Sequence, residues 1–268
     1  MEILQRLSPL LQGLLSGIFT WWVTALGAAS VFIFKKFSQK IMDGLLGLGA
    51  GVMTAASFWS LLAPAIELSQ TLYNNGWLFP ALGFFLGGTF VILTDILFGK
   101  FSFENFSKSC KKGKEGAKRS LLLILAVTAH NIPEGMAVGV AFGAAAMGIE
   151  GYTVLSAFML AVGIGLQNFP EGAAVSLPLA RDGFSRKKAF FYGQLSGVVE
   201  PISAVLGVLA SVTARSLLPL MLSFSAGAMI GVVALELIPE SVSKNKTSAA
   251  LGLIIGFIIM MVMDTALG

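Results

Sequence analysis

The chain has 268 residues, 56% of them hydrophobic and only 12% charged, about half the charged share of a soluble domain. That excludes a water-soluble globular protein and indicates a polytopic membrane protein. The net charge of +4 sits mostly in loops, where membrane topology accounts for it without a nucleic-acid partner, and the single cysteine, Cys110, excludes an intrachain disulfide.

A helix needs about 20 mostly apolar residues to cross a bilayer. Eight such stretches are expected, at 8–34, 41–69, 77–99, 120–146, 152–180, 187–211, 217–241 and 248–267. Together they make one all-α transmembrane domain spanning 1–268. Several exceed the minimum length, which implies tilt. Residues 1–6 lack the basic region of a secretory signal, and the apolar run behind them is too long for one, so it is expected to remain as the first span. Pro64, Pro133, Pro170, Pro201 and Pro239 are expected to break five of the spans, each freeing the carbonyl four residues earlier.

The links set the orientation. Lys35, Lys36 and Lys40 precede span two, and seven basic residues fill the loop 100–119. Arg181, Arg186, Lys187 and Lys188 lie between spans five and six, and Lys244 and Lys246 between seven and eight. Sixteen of the eighteen basic residues thus fall on one side, and only Arg6 and Arg215 on the other. The positive-inside rule makes the four basic loops cytoplasmic and puts both termini outside. Residues 70–76 and 147–151 read as outer turns, so spans four and five form an antiparallel hairpin.

That hairpin carries the chemistry. His130-Asn131-Ile132-Pro133-Glu134-Gly135 in span four returns as Gln167-Asn168-Phe169-Pro170-Glu171-Gly172 in span five, running the opposite way. An inverted repeat with polar groups at depth points to a midplane transport site. At ~1.5 Å of rise per residue, His130 lies about 15 Å into its span, and Gln167 and Glu200 about 20 Å into theirs. On a helix, His130 shares a face with Glu134, and Gln167 with Glu171. Ionisable residues at bilayer depth mark function by default. Carboxylates and amide oxygens with one imidazole suit a divalent cation of borderline softness: Zn²⁺, Fe²⁺ or Mn²⁺. Nearer the surfaces, Asp43 and Glu240 lie at cytoplasmic helix ends and Glu67 at an outer end. Asp95 and Glu236 are deep enough to mark an exit path, and Asp264 sits near the outer end of the last span.

With these two motifs and Glu200-Pro201 in span six, the sequence resembles the ZIP (Zrt/Irt-like) family of divalent-metal transporters, most of all its bacterial branch. Residues 50–58 and 236–240 are further echoes. The resemblance implies a two-metal site. His130, Glu134, Gln167, Glu171 and Glu200 would hold one ion, with Met53 near it. Asn131, Asn168, Glu134, Glu171 and Glu200 would hold the other. It also implies an outer entrance lined by Ser60 and Glu67, a homodimer, and spans one, four, five and six moving against the rest. Two features depart from the family: the loop 100–119 has no histidine, and Leu235 stands where some relatives carry one.

The expected function is therefore transport of divalent transition metal, zinc foremost with Fe, Mn and Cd, toward the cytoplasm. The expected location is a plasma membrane of the bacterial inner-membrane type, with no prosthetic group. An intramembrane metallohydrolase would need a motif such as His-Glu-x-x-His, which one histidine cannot supply. A proton-coupled carrier of organic solutes would use carboxylates alone, and the repeated amides argue for coordination instead.

Overall fold

The computed structural model describes residues 2–33, 38–99, 113–242 and 244–267. Lys35, Lys36 and residues 100–112, with Cys110 and most of the basic loop, lie outside the described residues. So do the side chains of Asp95, Lys114, Lys118 and Arg119. After a short turn at Glu2–Gln5 come α1 (Pro9–Ile33), α2 (Gln39–Tyr73), α3 (Leu78–Gly99), α4 (Gly113–Ala146) and α5 (Val154–Arg181). They are followed by α6 (Arg186–Thr213), α7 (Arg215–Ser241) and α8 (Lys246–Ala266). Seven of these helices are long and apolar enough to cross a membrane, and α3 is a further apolar helix over Leu78–Thr94. Large apolar side chains such as Phe85 and Ile258 face outward, as a bilayer permits and water does not.

The observed ends correct two expected boundaries. Helix α2 continues to Tyr73, so residues 70–73 are its last turn rather than part of an outer loop. Asn74 then takes a left-handed conformation (φ 52°), and the Asn75 side chain accepts hydrogen bonds from the backbone of Trp77 and Leu78, which starts α3. Helix α4 begins at Gly113 rather than 120, so the last part of the expected loop 100–119 is helical. The α4–α5 link is tight. Gly148 and Gly151 take positive φ, and Thr153 caps α5 by accepting from Ser156 N at 2.9 Å.

The prolines behave differently from expectation. Pro133 and Pro170 lie inside uninterrupted helices; a missing N–H removes one bond from a long ladder that otherwise persists. Apart from a π-helical stretch at Met263–Leu267, the irregular turns within the membrane helices lie just before the other three prolines. They are a π-helical stretch at Ser57–Leu62 before Pro64, a turn over 196–198 before Pro201, and a π-helical stretch at Val233–Leu237 before Pro239. Pro64 cannot bond to the Ser60 carbonyl, which instead accepts the Tyr152 hydroxyl at 2.6 Å.

The helices associate in two groups. Helix α1 packs along α5 and α6, and α4 along α6, while α2 pairs with α8 and α3 with α7. Lipid tails offer no hydrophobic drive between helices, so close backbone approach through small residues takes its place. The motif glycines serve this purpose. A Cβ at Gly135 would fall on the backbone of Glu200 in α6, and one at Gly172 on the carbonyl of Thr24 in α1.

Candidate metal centre

Helices α4 and α5 run antiparallel, so the first polar residue of each motif meets the glutamate of the other. Gln167 Nε2 donates to Glu134 Oε1 at 2.6 Å, and His130 Nε2 lies 4.0 Å from Glu171 Oε2. Helix α6 restarts beside them after its break, and Glu200 Oε2 accepts from Asn168 Nδ2 at 2.8 Å. His130, Asn131, Glu134, Gln167, Asn168, Glu171 and Glu200 are all buried, none more than 3% exposed.

The amides are oriented by the protein. Asn131 Nδ2 donates to the Ser196 carbonyl at 3.0 Å, and Asn168 Nδ2 to the Thr20 carbonyl at 3.3 Å as well as to Glu200. A backbone carbonyl can only accept, so each amide must present its nitrogen outward to that partner and keep its oxygen on the other side. The oxygens of Asn131, Gln167 and Asn168 have no hydrogen-bond partner among the described residues. The same is true of Glu134 Oε2, both oxygens of Glu171 and His130 Nε2. Buried polar atoms are almost always paired, because an unpaired one costs about 1–3 kcal/mol. Most of the buried atoms without a partner fall in the two motifs, the others being the hydroxyls of Ser30, Ser176 and Ser225 and one oxygen of Asp264, and every one in the motifs carries a lone pair or can on deprotonation. That is the chemistry of a cation site. Among the described residues, no three histidine, cysteine or acidic side chains alone form a group that could hold an ion. An ion held in this layer would therefore need the amide oxygens as further donors.

Glu236 enters this layer from α7. Its Oε2 lies 3.2 Å from His130 Nδ1, and its side chain is 25% exposed, so it lies at the edge of the buried layer. Helical spacing places Glu236 only near the inner end of its span; its meeting with a residue of α4 has no local signature. The π-helical stretch Val233–Leu237 and Pro239 are the signal that this part of α7 is unusual.

The remaining candidates lie elsewhere. Met53 is fully buried in the apolar core of α2, one turn beyond Gly49, where a Cβ would come 3.3 Å from Gln167 Cβ. Ser60 Oγ donates to Asp264 Oδ1 at 2.7 Å, and both line a cavity with Trp59, Pro64, Tyr152 and Ser156 at the end of the bundle that carries the α4–α5 link. Glu67 is exposed and is not among that cavity's lining residues. Asp43 is buried with both oxygens engaged, by Gln39 Nε2 at 2.7 Å and the backbone N of Asn245 at 2.8 Å. It thus ties the start of α2 to the α7–α8 link. Glu240 is exposed near the end of α7.

Comparison with known proteins agrees with this architecture. A family model described as ZIP Zinc transporter matches residues 104–264. The chain is 41% identical to "Zinc transporter ZIP11" of Xenopus tropicalis, over 97% of this chain and 98% of that protein. It is 36% identical to "Zinc transporter GufA" of Myxococcus xanthus, over 96% and 99%, and 36% identical to "Zinc transporter ZIPB" of Bordetella bronchiseptica, over 95% and 81%. The likeness therefore reaches vertebrate as well as bacterial proteins and is not confined to a bacterial branch. With two opposed motifs closing on one layer of buried, unpaired polar atoms, and matches that run nearly end to end, the chain belongs to the ZIP family of zinc transporters.

Proposed function

We propose that this protein carries Zn²⁺ across a plasma membrane toward the cytoplasm through the layer formed by α4, α5 and α6. The observation that carries the reading is the set of buried lone-pair atoms on His130, Asn131, Glu134, Gln167, Asn168 and Glu171 that no protein donor satisfies. They fall into two adjoining halves. His130, Glu134, Gln167 and Glu171 would receive one ion, and Asn131, Asn168 and Glu200 a second, with Glu134 and Glu171 between them. One imidazole, carboxylates and amide oxygens are ligands that zinc accepts.

The transport topology proposed is eight spans, with α3 among them, cytoplasmic basic links and both termini outside, in a homodimer. It is supported by the one-sided distribution of basic residues. Glu236, beside His130 and partly exposed, would take the ion from the layer on the inner side. The polar cavity at Ser60 and Asp264 would admit it on the outer side. Helix α1 packs with α4, α5 and α6, so these four are the elements that would shift together to expose the layer to one side and then the other.

The test is zinc uptake into liposomes containing the purified protein. Glu134→Ala and Glu171→Ala should each nearly abolish uptake while the protein still folds and inserts. Near-normal uptake by either folded variant would sink the proposed layer as the transport site.

A further inference from the structure

Helix α1 contributes nothing to either motif, yet it carries two buried threonines, Thr20 and Thr24, against the second half of the layer. Thr20 donates its hydroxyl to the Gly17 carbonyl of its own helix at 3.0 Å, beside the Glu200 carboxylate, and offers its backbone carbonyl to Asn168. Thr24 Oγ1 lies 3.2 Å from Glu200 Oε1 and 3.3 Å from the Thr20 carbonyl. A hydroxyl has one proton, and when Glu200 holds an ion its carboxylate is ionised and the stronger acceptor, so the bond to Glu200 then takes precedence.

The packing keeps room for this contact. At Gly197, in the break of α6, a Cβ would stand 2.9 Å from Glu200 Oε1 and 3.1 Å from both Cβ and Oγ1 of Thr24. Any larger residue there would push the pair apart. Glu200 is also unlike the other two glutamates of the layer. Both its oxygens are hydrogen-bonded, by Thr24 and by Asn168, whereas Glu134 has one oxygen without a partner and Glu171 two. A carboxylate has about four lone-pair sites. Two donors fix its plane and still leave sites for an ion.

Resting on the metal-carrier reading above, we infer that Thr24 is a positioning residue. Its hydroxyl holds the Glu200 carboxylate in the plane that serves an ion shared with the Asn131 and Asn168 oxygens. It thereby sets the zinc affinity of that half of the layer without touching the ion.

The test is equilibrium zinc binding to the purified full-length protein in detergent, measured by competition with a chelator. Thr24→Val keeps the shape and removes the donor. It should weaken one zinc-binding step by roughly tenfold to a hundredfold, the worth of one hydrogen bond to a charged group, and leave the other step unchanged. Thr24→Ser should restore wild-type binding. In a Glu200→Gln background, Thr24→Val should have little further effect, since the two act as a pair. Ser211→Ala, which removes a buried hydroxyl bonded only within α6, should bind zinc as the wild type does. If Thr24→Val does not fold, Thr24→Ala tests the same bond. Wild-type zinc binding in folded Thr24→Val or Thr24→Ala overturns the positioning role. So does weakened binding that Thr24→Ser fails to restore. Absence of zinc binding by the wild-type protein overturns the metal-carrier reading itself, which is a different result.

Discussion

Replacing Glu171 by leucine should make the metal-free protein more stable and blind to zinc. Glu171 is 3% exposed, neither oxygen has a hydrogen-bond partner, and the nearest basic atom, His130 Nε2, is 4.0 Å away. Leucine has a similar volume and needs no partner. Removing a buried, unpaired polar group should stabilise the fold by about 1–3 kcal/mol. For a chain of this size, about 1 kcal/mol moves the unfolding midpoint by ~2–4 °C, so the variant should unfold about 2–12 °C higher in excess chelator. Zinc at about a hundred times its dissociation constant should stabilise the wild type by roughly 2.7 kcal/mol through mass action, and the variant should lose that response. The assay is thermal unfolding in detergent followed by tryptophan fluorescence, first with chelator and then with zinc. A lower midpoint than the wild type in chelator would mean that the protein itself satisfies Glu171. A full zinc response in the variant would mean that the carboxylate is no ligand. Either result would refute the reasoning from unpaired atoms.

Three further outcomes are expected. Gly135→Ala drives a methyl group onto the backbone of Glu200; the overpacking costs about 1–3 kcal/mol, against a helix-propensity gain of about 1 kcal/mol. It should lower both the midpoint and uptake, while Gly88→Ala, which meets only Gly227 O at 3.6 Å, should do neither. Zinc affinity should fall as pH is lowered, because the imidazole and carboxylates bind metal only when deprotonated. Chelator competition between about pH 5 and 8 should show a shallower loss in His130→Ala, and a flat wild-type profile would remove His130 from the ligand set. In competition uptake, Cd²⁺ should inhibit zinc entry at similar concentrations and millimolar Mg²⁺ should not, because Mg²⁺ sheds its water reluctantly and gains little from an imidazole. Strong Mg²⁺ inhibition would mean that the ion passes hydrated.

The sequence by itself determined everything that depends on local spacing. Long apolar runs marked the membrane helices. The four-residue interval from His130 to Glu134 and from Gln167 to Glu171 put each pair on one helix face, and the short 147–151 link made the two motifs antiparallel. Those constraints act within one helix or across one tight turn, so composition and period are enough to read them. The prolines marked irregularity but not its place: Pro133 and Pro170 sit in continuous helices, while irregular turns precede Pro64, Pro201 and Pro239. Only the tertiary structure decided what lies opposite each polar group. Thr24 and Glu200 are 176 residues apart, Ser60 and Asp264 are 204 apart, and Glu236 reaches His130 from α7. Asp43 reads as a carboxylate at a cytoplasmic helix end in the chain, and in the fold it holds the α7–α8 link. In lipid every apolar face is an equally good partner for every other, so hydrophobicity cannot choose neighbours. The choice is made where glycines such as Gly135 and Gly172 let two backbones touch, and by π-helical turns that change which side chains face the seam. Neither effect has a period that the linear sequence displays.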